Sequence, residues 1–335
     1  MSAARGEAIA GFLAEAGWRG IAPAPLAADA SFRRYFRLAD RGRRAVLMDA
    51  PPPQEDVRPY IHVAGLLRER GLSAPEIYAE DRELGLLLIE DFGDETYTRL
   101  LAAGGDEATL YALAIDTLVA LQRAVTEPPD LPPYDETTLI AEATLLTDWY
   151  APAVLGRPLS ADARAEYIGL WREVLPLAAL PGPTLVLRDY HVDNLMLLPG
   201  RDGVRGCGLL DFQDALSGPA SYDLASLLED ARRDVAPALR EAMTERYLAA
   251  FPEIDGGAFR RSAAILAAQR NAKIIGIFTR LARRDGKPHY LRHIPRVWRL
   301  LENGLREPAL RSIAGWLDRH LPAPVRRVPD TRSAA

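Results

Sequence analysis

Lysine is nearly missing from this chain: only Lys273 and Lys287 occur among its 41 basic residues, and the rest are arginine. Residues 1–272 therefore contain no ammonium side chain. Guanidinium groups stay charged at any working pH and bind anions in a two-pronged geometry that an ammonium group does not offer. Any permanent positive charge in the first four fifths of the chain must therefore come from arginine.

Other absences narrow the class of protein. Cys207 is the single cysteine, which excludes an internal disulfide and a site built from several thiolates. No apolar run approaches the roughly 20 residues that span a bilayer, and the first residues lack the apolar segment and cleavage site of an export signal. The net charge of −5 is opposite to the basic excess of a general nucleic-acid binder. We expect a cytoplasmic protein that binds neither membrane nor nucleic acid.

The residues that are present suit an ordinary folded protein. Apolar residues make up 48% and charged residues 26% of the 335 positions. These shares are typical of globular domains with a substantial core. The length accommodates two domains of roughly 100–200 residues each. The oligomeric state is left open, with a monomer expected.

Hydrophobic spacing divides the chain into a β-rich part and a helical part. It predicts, in order, a helix over 6–17, strands over 31–38 and 45–50, a helix over 60–71, a hairpin over 76–91, a helix over 107–125, a β patch over 184–215 and helices beyond 221. We expect an α+β fold with two lobes. The boundaries are an N-lobe over 1–90, a hinge over 91–95, a C-lobe over 96–325 and a flexible tail over 326–335.

The segment 187–214 carries the strongest chemical pattern. Asp189 precedes Asn194 by five residues, and Asp211 ends an apolar run seventeen residues further on. Two strands joined by a turn would bring the loop 189–194 beside Asp211. Carboxylate and amide oxygens are the protein ligands that Mg²⁺ prefers alongside phosphate oxygens. The spacing therefore indicates a magnesium site, with Asp193 as a further oxygen donor or a solvated turn residue.

These motifs resemble the aminoglycoside phosphotransferase and choline kinase family, whose members share the two-lobed fold of protein kinases. The likeness rests on LRDYHVDN at 187–194, DFQ at 211–213 and the stretch GPASYDLASLL at 218–228. The family's catalytic loop usually opens with His-Gly-Asp, whereas this chain has Leu187-Arg188-Asp189. The resemblance implies a kinase that uses ATP and Mg²⁺.

The resemblance also implies a role for each matching residue. Asp189 would accept the proton of the acceptor hydroxyl, while Asn194 and Asp211 would hold Mg²⁺ on the nucleotide phosphates. Asp223 would brace the catalytic loop by accepting backbone N–H bonds. His191 would either fix the loop through a hydrogen bond or contact the acceptor.

An Asp-Phe-Gly triplet at 91–93 precedes the catalytic loop by about a hundred residues. It follows the buried strand LLLIED, so it falls on the connector between lobes rather than at a metal site. There the backbone of Glu90 and Phe92 would contact the adenine edge, with a plain connector as the alternative.

Kinases normally pair a lysine of the third N-lobe strand with the nucleotide phosphates. Here Met48 or Asp49 stands near that place, so arginine must substitute or the nucleotide is bound poorly. The segment SFRRYFR offers Ser31, Arg33 and Arg34 as nucleotide-binding residues. Because successive side chains of a strand point to opposite faces, only one of the two arginines is expected to reach phosphate.

Further segments extend the motifs above, among them ASFRRYFRL, MDAPPPQEDVRPYIHVAGLL, LIEDFGDETY and QRNAKIIGIFTRLARRDGKPHYL. Together they resemble the bacterial anomeric kinases of N-acetylmuramate and N-acetylglucosamine, which recycle peptidoglycan sugars. The similarity covers residues 28–310. It implies a small-molecule sugar acceptor, for which we predict contacts from Gln213, Asp214, Arg270 and Lys273. Arg270 or Lys273 would pair with the lactyl carboxylate of N-acetylmuramate. Two alternatives stay open: another hydroxyl acceptor such as an aminoglycoside or amino alcohol, and a nucleotide-binding module without catalysis.

Overall fold

The computed structural model describes residues 3–26, 32–125, 129–180 and 183–330. The chain divides into two compact units: the first is Met1–Leu121 with Val192–Ala215, and the second is Gln122–His191 with Leu216–Ala335. The N-lobe and C-lobe boundaries at 91–95 stay a prediction. None of the helices in the described ranges has the length and apolar character needed to cross a membrane.

The helices and strands that hydrophobic spacing predicts occur in the predicted order, with further short elements between them. Within the described residues the helices α1 to α12 are Ala3–Glu15, Arg58–Glu69, Tyr97–Ala102, Glu107–Arg123, Glu136–Ala143, Ala151–Leu155, Ala161–Val174, Ser221–Leu228, Pro237–Ala249, Gly256–Arg283, Ile294–Gly304 and Arg311–His320. The strands β1 to β9 are Ala24–Pro25, Arg34–Asp40, Arg43–Asp49, Ile77–Asp81, Leu86–Ile89, Thr184–Val186, Leu195–Leu197, Cys207–Leu209 and Leu216–Gly218.

The first unit is built on a five-stranded antiparallel sheet in the order β1-β2-β3-β5-β4. Strands β2 and β3 join through Arg41 and Gly42, which have φ angles of 47° and 86°. A two-residue hairpin turn favours this left-handed backbone at both positions because its twist matches that of the strands. The two predicted strands therefore form a tight hairpin within the sheet.

The two faces of this sheet differ in what covers them. The apolar face of α1 packs on alternate residues of β2, β3 and β5: Leu38, Ala45, Leu47, Leu86 and Leu88. Because side chains alternate along a strand, Arg34 and Asp49 share the α1 face, whereas Tyr35 and Met48 point to the other face. Strand alternation thus decides which polar groups each face receives.

A hairpin of β7 and β8 completes the first unit and carries the end of the catalytic-loop motif. Leu210 N–H donates to the Asn194 carbonyl at 3.0 Å, which closes the hairpin at its open end. Phe212 follows and packs its ring against Tyr60 of α2, with 4.8 Å between ring centroids. The hairpin is therefore fixed to the first unit just beyond Asp211.

The second unit is helical and centres on α10, a helix of 28 residues whose side chains are buried along most of its length. Gly276 lets α10 pack directly against the backbone of Leu145, since a Cβ at Gly276 would lie 2.2 Å from the Leu145 carbonyl carbon. The short ladder of β6 with β9 lies beside these helices in the same unit and leads into Leu187. Arg326, the first residue of the predicted tail, pairs with Glu302 and Asp318.

Candidate active site

Asn194 and Asp211 lie together in the first unit. Asn194 ends a short 3-10 turn, Val192–Asn194, and Asp211 follows β8 with a φ of 56°. The Asn194 Nδ2 lies 3.5 Å from the Asp211 Oδ2. Left-handed backbone is uncommon for a residue other than glycine and occurs often at functional sites. The hairpin thus brings together the two residues that were predicted as ligands of Mg²⁺.

Asp211 has two further neighbours on its other oxygen. Gln213 Nε2 donates to the Asp211 Oδ1 at 2.8 Å and to the Asp214 Oδ2 at 3.2 Å. The Arg33 Nη2 lies 3.9 Å from the same Asp211 Oδ1. The buried Oε1 of Gln213 has no hydrogen-bond partner among the residues that the structure describes. Gln213 therefore orients Asp211 while offering an acceptor of its own.

The donor set suits Mg²⁺ bound together with a nucleotide. The Asp211 side chain is 30% exposed, and the side-chain amide of Asn194, whose Nδ2 faces Asp211, also carries an oxygen of the kind that binds Mg²⁺. In the described ranges no three histidine, cysteine, aspartate or glutamate side chains are grouped as metal ligands. Mg²⁺ does not need such a cage, because it commonly takes one or two carboxylates and completes its shell with water and phosphate. Asp193 contributes differently, since its carboxylate accepts from the Thr98 hydroxyl.

Arg33 and Arg34 have different partners. Arg34 pairs with the buried Asp49, its direct neighbour on β3, which also binds Arg5 of α1 at 2.6 Å. Arg33 lies with its Nε 3.6 Å from Glu55, on the side of Asp211. Burial disfavours the charged guanidinium, yet Tyr35, Asp211 and Glu55 keep the pKa of Arg33 above its ordinary value. Ser31, the third nucleotide-binding residue predicted there, lies outside the described residues.

The Asp91-Phe92-Gly93 triplet is held by arginine. Arg37 binds both Asp91 oxygens, at 2.9 and 2.8 Å, and donates to the Gly93 carbonyl at 2.9 Å. These bonds hold the Asp91 carboxylate and the Gly93 carbonyl in place within the connector.

Glu90 and Phe92 form the rest of this connector. Arg201 pairs with Glu90 and lies over the Phe92 ring, 5.2 Å from its centroid. A Cβ at Gly208 would lie 2.8 Å from the same ring, so the phenyl group packs directly on the β8 backbone. The Glu90 N–H donates to the Glu76 carbonyl at 2.8 Å. The N–H of Glu90 is thus already paired, and contact of this backbone with a purine stays a prediction.

Asp189 belongs to the second unit, where α8 holds the backbone that precedes it. The buried Asp223 of α8 accepts from the N–H groups of Leu187 at 2.6 Å and Arg188 at 2.9 Å. Ser226 Oγ donates to the Arg188 carbonyl at 3.2 Å. Burial raises the pKa of Asp223 to about 7, although both backbone bonds favour its charged form. Because Asp189 and Asn194 lie in different units, their convergence on one ion stays a prediction.

Cationic neighbours keep Asp189 ionised. Loss of water around the carboxylate would raise its pKa, but the positive charges of Lys273 and Arg270 shift the pKa below its ordinary value, and His191 adds to this shift only when its ring is protonated. The His191 pKa is itself lowered, first by burial and then by Arg232, whose Nη1 lies 3.4 Å from the His191 Nε2. A neutral imidazole and an anionic carboxylate therefore coexist in this loop at neutral pH, as a proton acceptor requires.

The two basic residues predicted to bind the acceptor carboxylate have protein partners. Lys273 Nζ lies 2.8 Å from the Glu142 Oε1, and Arg270 Nη1 donates to the Glu229 carbonyl at 3.5 Å. Both side chains are buried. Their contact with an acceptor stays a prediction, as do those of His191, Gln213 and Asp214.

Three charged residues that the sequence motifs did not single out form ion pairs near the predicted site residues. Glu142 and Arg188 pair with each other in the second unit, and Glu55 partners Arg33 in the first. Only Arg188 had a visible signal, because it replaces the glycine expected before Asp189. Glu142 lies in a segment without any motif, and the resemblance of the segment around Glu55 assigns that glutamate no role.

Comparison with known proteins places the chain among phosphotransferases. Residues 23–259 match the model of the phosphotransferase enzyme family. An N-acetylmuramate/N-acetylglucosamine kinase of Caulobacter vibrioides is 37% identical and aligns with 98% of this chain and 99% of its own. A kinase of the same name from Pseudomonas aeruginosa is 41% identical, with 90% of each chain aligned. The chain belongs to the phosphotransferase enzyme family.

Solved structures show which fold this family membership brings. A choline/ethanolamine kinase family protein from Mesorhizobium loti matches with a TM-score of 0.62 at 15% identity, over 94% of this chain and 99% of that one. The GDP complex of aminoglycoside 2'-phosphotransferase-IIIa matches with a TM-score of 0.61 at 16% identity, over 90% and 98%. The predicted α+β fold, two-lobed and protein-kinase-like, is confirmed.

Proposed function

We propose that this enzyme transfers the γ-phosphoryl group of ATP to the anomeric hydroxyl of N-acetylmuramate or N-acetylglucosamine. The observation that carries the proposal is the end-to-end similarity to kinases named for these two sugars. The product, a sugar 1-phosphate, suits the recycling of peptidoglycan sugars. Since ATP is the phosphoryl donor, the reaction belongs in the cytoplasm.

In this reaction Asp189 is the proton acceptor. The anomeric oxygen attacks the γ-phosphorus, the bond from that phosphorus to the bridging oxygen breaks, and ADP leaves with the electron pair. The hydroxyl proton passes to the Asp189 carboxylate, which its cationic neighbours keep deprotonated. An anomeric hydroxyl is more acidic than an ordinary alcohol, so a weak base of this kind is sufficient.

Asn194 and Asp211 would hold Mg²⁺, supported by their 3.5 Å separation and the exposure of Asp211. When bound, the ion offsets the negative charge on the nucleotide phosphates. Gln213 would keep the Asp211 carboxylate in one orientation through its 2.8 Å bond.

Arg33 would contact the phosphates in place of the missing lysine. It lies near Asp211 and is only 10% exposed, whereas Arg34 is bound to Asp49 on the opposite face of the sheet. Glu55 holds the Arg33 guanidinium from the other side, as a counter-ion that limits its rotation. Ser31 and the backbone of Glu90 and Phe92 would complete the nucleotide contacts.

The acceptor would be bound by His191, Gln213, Asp214, Arg270 and Lys273. The unpartnered, buried Oε1 of Gln213 is an acceptor for a sugar hydroxyl. Lys273 or Arg270 would reach a lactyl carboxylate only by sharing its present bond with Glu142 or the Glu229 carbonyl.

One assay with several acceptors tests the proposal. The purified enzyme receives Mg²⁺ and ATP with N-acetylmuramate, N-acetylglucosamine, glucose or kanamycin, and phosphorus NMR locates the new phosphate ester. We expect a 1-phosphate of the two N-acetyl sugars. A phosphate on another oxygen, or on kanamycin alone, would reject the anomeric assignment in favour of another hydroxyl acceptor. ATP bound without transfer to any acceptor would favour the non-catalytic alternative.

A further inference from the structure

Arg188 has a backbone conformation that suits glycine. Its φ is 69°, in the left-handed region where a side chain is sterically disfavoured and glycine is not. It stands immediately before Asp189 in the chain. A residue with a large side chain at such a position is expected to be retained for what that side chain contacts.

The guanidinium of Arg188 is bound to Glu142 of α5 and lies over the Tyr134 ring, 5.6 Å from its centroid. The same Glu142 carboxylate accepts from Lys273 at 2.8 Å, Tyr134 at 2.5 Å and Gln269 at 3.3 Å. The Glu142 and Lys273 side chains are each 11% exposed. One carboxylate thus connects Arg188 to α10 and to the segment before α5, with little access for water.

The backbone of Arg188 is fixed as well. Its N–H donates to Asp223 and its carbonyl accepts from Ser226, both on α8. The residue before Asp189 is therefore held by α8 through its backbone and by α5 through its side chain. Charge-assisted bonds to a carboxylate are short and directional, and low water access strengthens them.

We propose that Arg188 is a positioning residue that fixes the direction of the Asp189 carboxylate through its ion pair with Glu142. The proposal rests on the proposed function only in taking Asp189 as the proton acceptor. Displacement of a reacting group by about 1 Å can cost a hundredfold in rate, so a loop held by its backbone alone should turn over slowly while still binding nucleotide.

The test compares one substitution at two places. Arg188→Gly removes the guanidinium but keeps a residue that accepts the left-handed backbone, so the variant should fold. Arg41→Gly is the matched control, because Arg41 is an arginine with a φ of 47° whose side chain is 94% exposed in the β2–β3 turn. Both variants would be compared with the unchanged enzyme for kcat, the KM of ATP and of the sugar, and Tm.

We expect Arg188→Gly to lower kcat by about ten- to a hundredfold with the KM of ATP within about twofold, and Arg41→Gly to change neither. Arg188→Lys should recover part of kcat, since it restores the charge without the planar fork. Guanidinium chloride at non-denaturing concentration should raise kcat of Arg188→Gly, whereas sodium chloride at the same concentration should not.

A lower Tm with unchanged kcat would overturn the proposal and leave Arg188 a purely structural residue. Absence of guanidinium rescue together with full activity of the lysine variant would replace positioning by a simple charge effect. The rate of ATP hydrolysis without sugar gives a second measure of how far turnover by the variant falls below turnover by the unchanged enzyme. A failure of the unchanged enzyme to phosphorylate the sugars therefore rejects the proposed function, while equal hydrolysis rates of Arg188→Gly and the unchanged enzyme would reject the role of Arg188 and a slower rate of the variant would support it.

Discussion

Asp189 and Asp211 are both essential to the proposed chemistry, and the two units hold them differently. Asp211 is 30% exposed, and its neighbours Gln213, Asn194 and Arg33 lie 2.8, 3.5 and 3.9 Å away. The residue before Asp189 is Arg188, whose backbone N–H donates to Asp223 and whose side chain forms an ion pair with Glu142. The difference matches two tasks: a metal ligand exchanges partners when the nucleotide binds and leaves, whereas a proton acceptor must keep one direction.

Removing the fixed carboxylate should have the largest effect. Asp189→Asn keeps the size of the side chain and deletes the proton acceptor, so we expect kcat to fall at least about a hundredfold with binding of Mg²⁺ and ATP nearly unchanged. Steady-state kinetics and calorimetric nucleotide binding measure the two quantities. Asp193→Asn in the same loop is the control, because that carboxylate accepts from Thr98, and its kcat should stay within about threefold. Equal losses in both variants would remove the distinction between the two aspartates.

Arg33, which precedes β2, and Arg34, the first residue of β2, test how the first unit binds the nucleotide phosphates. Arg33→Met should raise the KM of ATP by about ten- to a hundredfold, the range expected for loss of a charge-assisted phosphate contact. Arg34→Met should leave that KM within about twofold and lower Tm instead, because the buried Asp49 loses one of its two arginines. Initial rates against ATP concentration and thermal melting separate the outcomes. The reverse assignment would place the phosphates on the α1 face of the sheet.

Loss of the hydrogen bond that orients Asp211 should have a smaller effect on the rate. Gln213→Leu deletes the 2.8 Å bond to the Asp211 Oδ1, so we expect about tenfold more Mg²⁺ for half-maximal rate, since residues that orient a metal ligand contribute to metal affinity. Activity titrated against Mg²⁺ at fixed ATP measures this shift. At saturating Mg²⁺ the kcat should return to within about threefold. A loss that excess Mg²⁺ does not recover would indicate that Gln213 contributes to the rate through its sugar contact rather than through Asp211.

Part of this arrangement could be predicted from the sequence, because local rules govern it. The spacing of Asn194 and Asp211 around two short strands predicts a hairpin, and the structure brings the two side chains to 3.5 Å. Alternation along a strand predicts opposite faces for Arg33 and Arg34. In the structure Arg33 precedes β2, and the two side chains have different partners, Asp211 and Asp49. Alternation does not say which face meets Asp211, since that depends on where α1 packs.

The contacts around Glu142 depended on information that the sequence does not display. Lys273 was predicted for its charge near the end of an apolar helix, yet α10 is buried along most of its length, so its polar side chains need protein partners. Its partner Glu142 lies 131 positions earlier in the chain, and Arg188 lies 46 positions from that carboxylate. Pairings at such separations follow from how the helices pack rather than from any local pattern.

The finest test of the comparison is the pH at which Asp189 loses its charge. The permanent charges of Lys273, Arg270 and Arg188 lower its pKa, and Asp223 faces it as a second acid. The reaction needs the ionised form, so activity is present above this pKa and is lost as pH falls through it. A lowered pKa therefore predicts that kcat/KM between pH 5 and 8 shows no acid limb from Asp189. Lys273→Met removes the strongest of these positive influences, so the acid limb of this variant should lie at a higher pH than that of the unchanged enzyme. Lys287→Met, the same change at the only other lysine, should leave the profile unchanged. Identical profiles for all three proteins would show that rigid attachment of the loop, without its positive surroundings, is what separates Asp189 from Asp211.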